Sequence, residues 1–198
     1  KSDPMLRNLL LCNNSATAQD WGGGFGGAIF FNRTSAKMTN LTIADNQSYT
    51  GLASLYFGPS CFIELMNSIL WNPKATEIYI DDNGNPGLLS ISYSDIRGGI
   101  DSIIAVNHNN TNWMAGTIEE NPLFEDPYYY FLQSLSPCVD SGNPDPQYND
   151  PAQALFPQVA KWPCRGTIIN DMGKYGGLFS DINLDTSSKP DHNLNFET

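Results

Sequence analysis

Four apolar residues, Leu11, Ile43, Leu70 and Ile96, recur at intervals of 32, 27 and 26 along the chain. Around each stands a similar string: Asn8-Leu-Leu-Leu-Cys-Asn-Asn14, Asn40-Leu-Thr-Ile-Ala-Asp-Asn46, Asn67-Ser-Ile-Leu-Trp-Asn-Pro73 and Tyr93-Ser-Asp-Ile-Arg-Gly-Gly99. A second register lies between them, at Gly27-Ala-Ile-Phe-Phe31, Ala53-Ser-Leu-Tyr-Phe57 and Glu77-Ile-Tyr-Ile80. Each unit thus holds two or three strands of three to five residues, joined by turns rich in Asn and Gly. No helical periodicity competes with this reading. One coil of such short strands cannot bury its own apolar side chains. Stacking successive coils in parallel pairs their backbones at about 4.8 Å and encloses a continuous core.

The repeat predicts an all-β chain, a right-handed parallel β-helix of about four to five rungs and roughly 20 Å of solenoid. Residues 1–106 read as rungs, 107–178 as a terminal rung with a loop-rich C-terminal cap, and 179–198 as a polar tail. Asn at a recurring corner tolerates left-handed backbone and can stack as a ladder of side-chain amides. A β-sandwich would instead show hairpin turns about every 8–12 residues, and only Asn83-Gly84 looks like one. A solenoid end exposes apolar core and unpaired edges that need cover; Tyr128-Tyr-Tyr-Phe-Leu132 is expected to supply it. The repeats begin at once with Met5-Leu-Arg-Asn-Leu9, so further upstream rungs or neighbouring copies of the chain are expected at the other end.

Composition narrows the partners. With 21 acidic against 10 basic residues the formal charge is −11, and only 16% of residues are charged. A dispersed acidic surface repels phosphate backbones, so nucleic acid is not an expected partner. No apolar run approaches the roughly 18 residues of a membrane span. Polarity comes instead from amides and hydroxyls, 21 of the residues being Asn. The Asn-x-Ser/Thr matches at Asn13, Asn32, Asn40, Asn46 and Asn109 are what chance supplies in such a chain. The four cysteines have no C-x-x-C spacing and the only histidines are His108 and His192, which argues against zinc. Cys138 and Cys164 each follow a proline in the loop-rich last third, where a disulfide clip is expected; Cys12 and Cys61 read as buried thiols. An oxidising, secreted or cell-surface setting fits this pattern.

The string Asn121-Pro-Leu-Phe-Glu-Asp-Pro127, then Leu132, then Ser136-Pro-Cys-Val-Asp-Ser-Gly142, resembles the closing segment of secreted bacterial parallel β-helix proteins. Arg165-Gly-Thr-Ile-Ile-Asn-Asp-Met-Gly-Lys-Tyr-Gly-Gly177 resembles the terminal signature of the same group, and Gly26-Gly-Ala-Ile29 resembles a corner of autotransported surface β-helices. The resemblance spans residues 5 to 178 and implies the pectate-lyase-like superfamily. That superfamily holds polysaccharide lyases, glycoside hydrolases, adhesins and modules without catalysis, so the residues must choose among them.

For a lyase, the resemblance implies an Arg or Lys base and calcium to neutralise the sugar carboxylate. The basic residues well placed in the repeat region are Arg33, Lys37, Lys74 and Arg97; the candidates for catalysis are Arg97, Lys74 and Asp82. Asp95 and Arg97 flank the inward Ile96 and are expected to face outward together, as a solvated ion pair. A hydrolase needs paired carboxylates; Asp81-Asp82 is such a pair, but its expected G-H-G and R-x-K partners are missing. Two oxygen-rich loops could take calcium, one at Asp81, Asn83 and Asn85, the other at Asp140 and Asp145, although the first is better read as a turn, since Ser92 stands where a closing Glu would be needed. Trp71, Tyr79, Trp113 and Tyr56, with Trp21 and Tyr49, offer faces on which sugar rings stack.

These features favour a module that binds or scaffolds on extracellular polysaccharide without catalysis. The alternatives are a calcium-dependent lyase or hydrolase, and a self-assembling structural protein, filament or adhesin. At −11 the chain should repel acidic polymers unless divalent cations bridge them. Retention on a polyuronide is therefore expected to vanish with chelator, whereas retention on a neutral glycan is expected to persist.

Overall fold

The computed structural model describes residues 3–17, 24–48, 53–81, 83–105 and 111–180. Among these the chain is all-β, with short 3-10 turns at Gly99–Ser102 and Pro146–Tyr148 as its helical pieces. The first sheet holds, in order, Met5–Arg7, Ser35–Thr39, Phe62–Met66, Leu88–Ser92 and Thr111–Trp113. The second holds Leu10–Cys12, Thr42–Ala44, Ile69–Trp71 and Asp95–Ile96. The third holds Ile29–Phe31, Leu55–Phe57, Ile78–Ile80 and Ile103–Ala105. Ser15–Ala16 and Gln47–Ser48 form a small pair of their own.

All pairings between these strands are parallel. The chain visits the sheets in cyclic order, and each circuit lays its strands beside those of the circuit before. The repeat anchors Leu11, Ile43, Leu70 and Ile96 stand in one register across the second sheet. In the first sheet Met5, Lys37, Glu64, Ser90 and Asn112 align likewise. This arrangement is compatible with the solenoid expected from the repeat. Antiparallel contacts among the described residues are isolated bridges, at Phe124–Leu132, Ala152–Ala160 and Val159–Thr167.

Alternation sets the inside. In the five-residue strands of the first sheet Ala36, Met38, Ile63, Leu65, Leu89 and Ile91 are buried while their neighbours face out. They meet Ile43, Leu70 and Ile96 from the second sheet and Leu55, Phe57, Ile78 and Ile80 from the third. Each large side chain so buried contributes about 1.5–3 kcal/mol.

Corners are made by residues in the left-handed region. Asn8, Asn40, Asn67 and Tyr93, with φ of 49°, 54°, 52° and 46°, occupy equivalent corners between the first and second sheets. The expected amide ladder lies beyond the second sheet. There Asn14 Nδ2 donates to Asn46 Oδ1 at 2.9 Å, and Asn46 Nδ2 donates to Asn72 Oδ1 at 3.1 Å. Where the next circuit offers only Arg97-Gly98, Glu77 ends the ladder by accepting from Asn72 N at 2.7 Å and from Asn72 Nδ2.

The segment from Asn121 to Ser180 differs from expectation. Tyr130 and Leu132 lie on the outer face of the second sheet, not over an open end. Leu132 packs with Ile69, Cys138 and Met172, and Tyr130 donates to Asp45 Oδ2 at 2.7 Å. The segment's own strings tie together: Asp140 N and Arg165 N donate to the Asp171 carboxylate at 2.8 and 2.7 Å, and Met172 N donates to Cys138 O at 2.9 Å. The expected Cys138–Cys164 disulfide is corrected. Both are free, buried thiols, Cys138 donating to Asp95 Oδ2 at 3.2 Å and Cys164 to Tyr175 O at 2.9 Å. Burial and a hydrogen-bond partner for each satisfy them separately, so the segment closes through carboxylates.

Asn46 is fully buried and bonds to the circuits on both sides. Asn46→Ala would leave Asn14 and Asn72 with unsatisfied groups, at a cost of about 3 kcal/mol in urea unfolding. Asn14→Ala, at the exposed end of the ladder, is expected to cost less than about 1 kcal/mol.

Candidate functional site

The outer face of the first sheet is a groove. Side chains alternate outward along each strand, so Lys37 and Glu64 stand side by side in register and join at 2.9 Å. Glu64 holds the Lys37 ammonium charged, first by its hydrogen bond and then by its charge, so the amine titrates above its ordinary value. On one side of this pair lies a depression of about 380 Å³, floored by Arg7, Asn40 and Met66 and walled by Gln147, Tyr148 and Phe179. The Arg7 guanidinium sits 5.9 Å from the Phe179 ring centre. On the other side is a more apolar depression of about 480 Å³ over Met5, Ala36, Phe62 and Leu88.

The wall belongs to the C-terminal segment and is held from beneath by amides and carboxylates. Asn8 Nδ2 donates to the carbonyls of Lys174 and Gly176, both at 2.7 Å. Asn40 Nδ2 donates to Asn170 Oδ1, Asp171 O and Gly173 O at 3.0–3.2 Å. Asn67 Oδ1 accepts from Asn143 N at 2.8 Å, three residues before the turn that presents Gln147 and Tyr148. Asp145 caps that turn by accepting from Gln147 N at 3.1 Å. Gly176 has no room for a side chain, since a Cβ there would run into Asp171 O and Asn40 Nδ2.

Among the described residues four carboxyls are buried, two in the C-terminal segment and two in the repeats. Asp150 accepts from Gly177 N and Asp171 N, and lies beside the Asp171 carboxyl. Burial raises both, and their proximity raises Asp150 further. Burial also pushes Asp95 up to about 6, against the bonds it accepts from Glu120 N and Cys138 Sγ. Glu77 is pushed up to about 7 by burial, although Asn72 and the charge of Arg97 oppose the shift.

The residues singled out from the sequence do not gather at one place. Tyr56 and Tyr79 stack at 5.3 Å and 12° on the outer face of the third sheet, continuing the Phe30–Tyr56 stack. Phe25 lies over Tyr56, which is only 7% exposed and donates to Asp81 Oδ2 at 2.9 Å. Trp71 is half-buried beneath the C-terminal segment. Trp113, 37% exposed, ends the first sheet in register with the inward Ile91. Lys74 is exposed in a turn and Arg97 is half-buried at the second sheet. Asp95 does not face solvent with Arg97 as expected; it is covered by the C-terminal segment and bonds there. Asp82, Trp21, Tyr49 and the tail beyond Ser180 lie outside the described residues.

The loops proposed for calcium use their oxygens internally. Asp81 accepts from Tyr56 and from Asn83 N, and exposed Asn85 reaches Asn83 O. Asp140 accepts from Thr167 N and Thr167 Oγ1, and Asp145 caps its turn. Among the described residues no three His, Cys, Asp or Glu side chains are grouped to hold a metal ion. Sequence reasoning missed the groove wall, because Tyr148 and Phe179 carry no motif; of its floor only Lys37 was marked, as a basic residue of the repeats.

No family model, curated protein or solved structure matches the chain.

The buried carboxyls set a pH dependence. Asp95 and Glu77 titrate in the folded chain above their unfolded values, near 4. Between the two, the native state holds protons that the unfolded chain has lost, so stability falls as pH rises through about 6 and about 7. The melting temperature at pH 5 is expected to exceed that at pH 8 by several degrees, and Asp95→Asn should flatten the slope.

Proposed function

We propose that the chain is a right-handed parallel β-helix of pectate-lyase-like type, secreted or displayed at a cell surface, and that it binds polysaccharide in the groove over its first sheet without catalysis there. The observation that carries this reading is the pairing of Tyr148, Phe179 and Gln147 on the wall with Arg7 and the Lys37–Glu64 pair on the floor. Aromatic faces suit the C–H faces of sugar rings, and amides and charges suit their hydroxyls and carboxylates. The groove is open and follows the direction in which circuits repeat, which suits an extended polymer over a compact ligand.

Catalysis is disfavoured by the same residues. Hydrolysis needs two carboxyls flanking the bond, and among the described residues Glu64 is the one carboxylate lining this depression. A lyase is the second reading, favoured by Arg7 and Lys37. Yet Lys37 is held protonated by Glu64, which is the wrong state for a base.

The test is retention on immobilised acidic and neutral polysaccharides, with unsaturated products and new reducing ends followed in parallel. Tyr148→Ala is expected to weaken retention about fivefold to tenfold, while Tyr79→Ala on the third sheet leaves it unchanged. Product formation, or retention insensitive to Tyr148, would sink this reading.

A further inference from the structure

The groove wall is fastened in two different ways. Asn8 holds the C-terminal segment at Lys174 and Gly176, and Asn40 holds it at Asp171 and Gly173. Past Gly176 the chain turns through Gly177, with a φ of 76°, into the short run that carries Phe179. Other side chains hold that run. Asp150 Oδ1 accepts from Gly177 N at 2.5 Å, and Cys164 Sγ hydrogen-bonds Ser180 Oγ at 3.1 Å. Ser180 N donates to Gly177 O at 3.1 Å, which closes the turn on itself. Gly177 and Phe179 both line the depression over Arg7.

The Asp150 fastening is titratable. Asp150 and Asp171 are 3% and 1% exposed, and Asp171 N donates to Asp150 Oδ2 at 3.2 Å, so the two acids lie side by side. Among the described residues Asp150 faces the Asp171 carboxyl and the Cys164 thiol; Asp140 and Arg165 stand on the far side of Asp171. The Arg165 guanidinium is engaged by Glu125 at 2.6 Å. Two buried carboxylates without a cation of their own ionise together only at a large cost in desolvation and repulsion. A neutral carboxyl still accepts through its carbonyl oxygen, so protonation keeps the bond to Gly177. A second charge is relieved by admitting water, and the cover that Asp150 itself bonds is the turn at 177–180.

We propose that Asp150 is a proton-operated latch on the groove: neutral, it seats the turn and keeps Phe179 on the wall; ionised, it lets the turn lift and the wall open. As a regulator of binding the latch rests on the polysaccharide reading; as a moving part it does not. Burial, and then the Asp171 charge, raises Asp150 above the ordinary carboxylate range. The folded value exceeds the unfolded one, so the seated turn is favoured at low pH. That advantage is lost as pH rises through the folded value. The amides of Asn8 and Asn40 do not titrate, so the segment up to Gly176 stays in place while the turn lifts.

Amide exchange followed by NMR between pH 6 and pH 9, well below the melting temperature, tests the latch without any glycan. Corrected for the intrinsic pH dependence of exchange, protection at Gly177 and Ser180 should fall at least about tenfold, to near that of a free amide. Met38 and Leu65 in the first sheet should keep theirs. Asp150→Asn retains a carbonyl acceptor and cannot ionise, so its Gly177 protection should not change with pH. Asp95→Asn, which acts away from the wall, should leave the fall in place. Retention on immobilised alginate and xylan, as acidic and neutral probes, should be about threefold weaker at pH 9 than at pH 6 for the polymer that is bound. Asp150→Asn should remove that difference. Constant protection at Gly177, an equal fall at Met38 and Leu65, or a fall that persists in Asp150→Asn would overturn the latch. If Asp150→Asn does not fold, the wild-type contrast between Gly177 and Met38 decides alone. Equal retention at both pH values while Gly177 opens would overturn the latch's role in the groove. Opening at Gly177 with no retention on any polysaccharide would instead sink the polysaccharide reading and leave the latch standing.

Discussion

Asparagine amides at one set of corners join the two halves of this molecule. Asn8, Asn40 and Asn67 adopt the left-handed backbone that turns the chain from the first sheet to the second. That conformation suits Asn better than most residues. The same side chains reach outward to backbone groups 76 to 168 residues away in sequence. One residue type thus supplies both the local bend and the long-range bond. Without the amides, the carbonyls of Lys174, Gly176 and Asp171 would lie against the sheet unsatisfied, and an unpaired buried acceptor is costly. The groove wall exists because those bonds hold the segment that carries it.

Tyr93 shows why the corner prefers Asn. It takes the fourth place in the column with a φ of 46°, where a bulky residue is strained. Gly116, one circuit on, leaves space for its ring, since a Cβ there would collide with Tyr93. Beyond Asn67 the C-terminal segment finds no fourth amide, and the second sheet meets it through Asp95 and Cys138 instead. The change from amide to buried acid follows from the change in corner residue.

The periodic part of the chain was legible in its sequence and the rest was not, for a physical reason. Leu11, Ile43, Leu70 and Ile96 stand in register because inward positions recur with every circuit, and such recurrence is visible as spacing. The Asn14–Asn46–Asn72 ladder is visible on the same ground. Docking of residues 121–180 has no period. It rests on side-chain amides meeting backbone carbonyls, which every residue possesses, so nothing local marks the carbonyl that is met. The aromatic candidates are placed differently. Tyr56 and Tyr79 do form a column on one face, as spacing suggests, and Phe25 from another part of the chain lies over Tyr56. Pro-Cys context could not distinguish a disulfide from two separate thiols, because bridging needs the Cβ atoms within about 4.5 Å, which is a tertiary fact.

The groove and the buried acids are one mechanical system. Asp150 accepts from Gly177 N, two residues before Phe179, while Asn170 Nδ2 donates to Tyr148 O at 2.7 Å on the other arm of the wall. The two aromatic residues are therefore placed by the same cluster, Asp150, Asn170 and Asp171, whose two carboxyls burial and neighbouring negative charge keep close to protonation. A carboxylate accepting several backbone N–H bonds is a strong fastening, and two of them side by side oppose one another. The wall is consequently held by bonds that strengthen on ionisation and by a pair that resists it. An apolar core could have fixed the segment with less sensitivity to pH. What these acids add is direction: each accepts from a specified amide, so the segment seats in one register on the corners of the sheet and presents Tyr148 and Phe179 to the same groove.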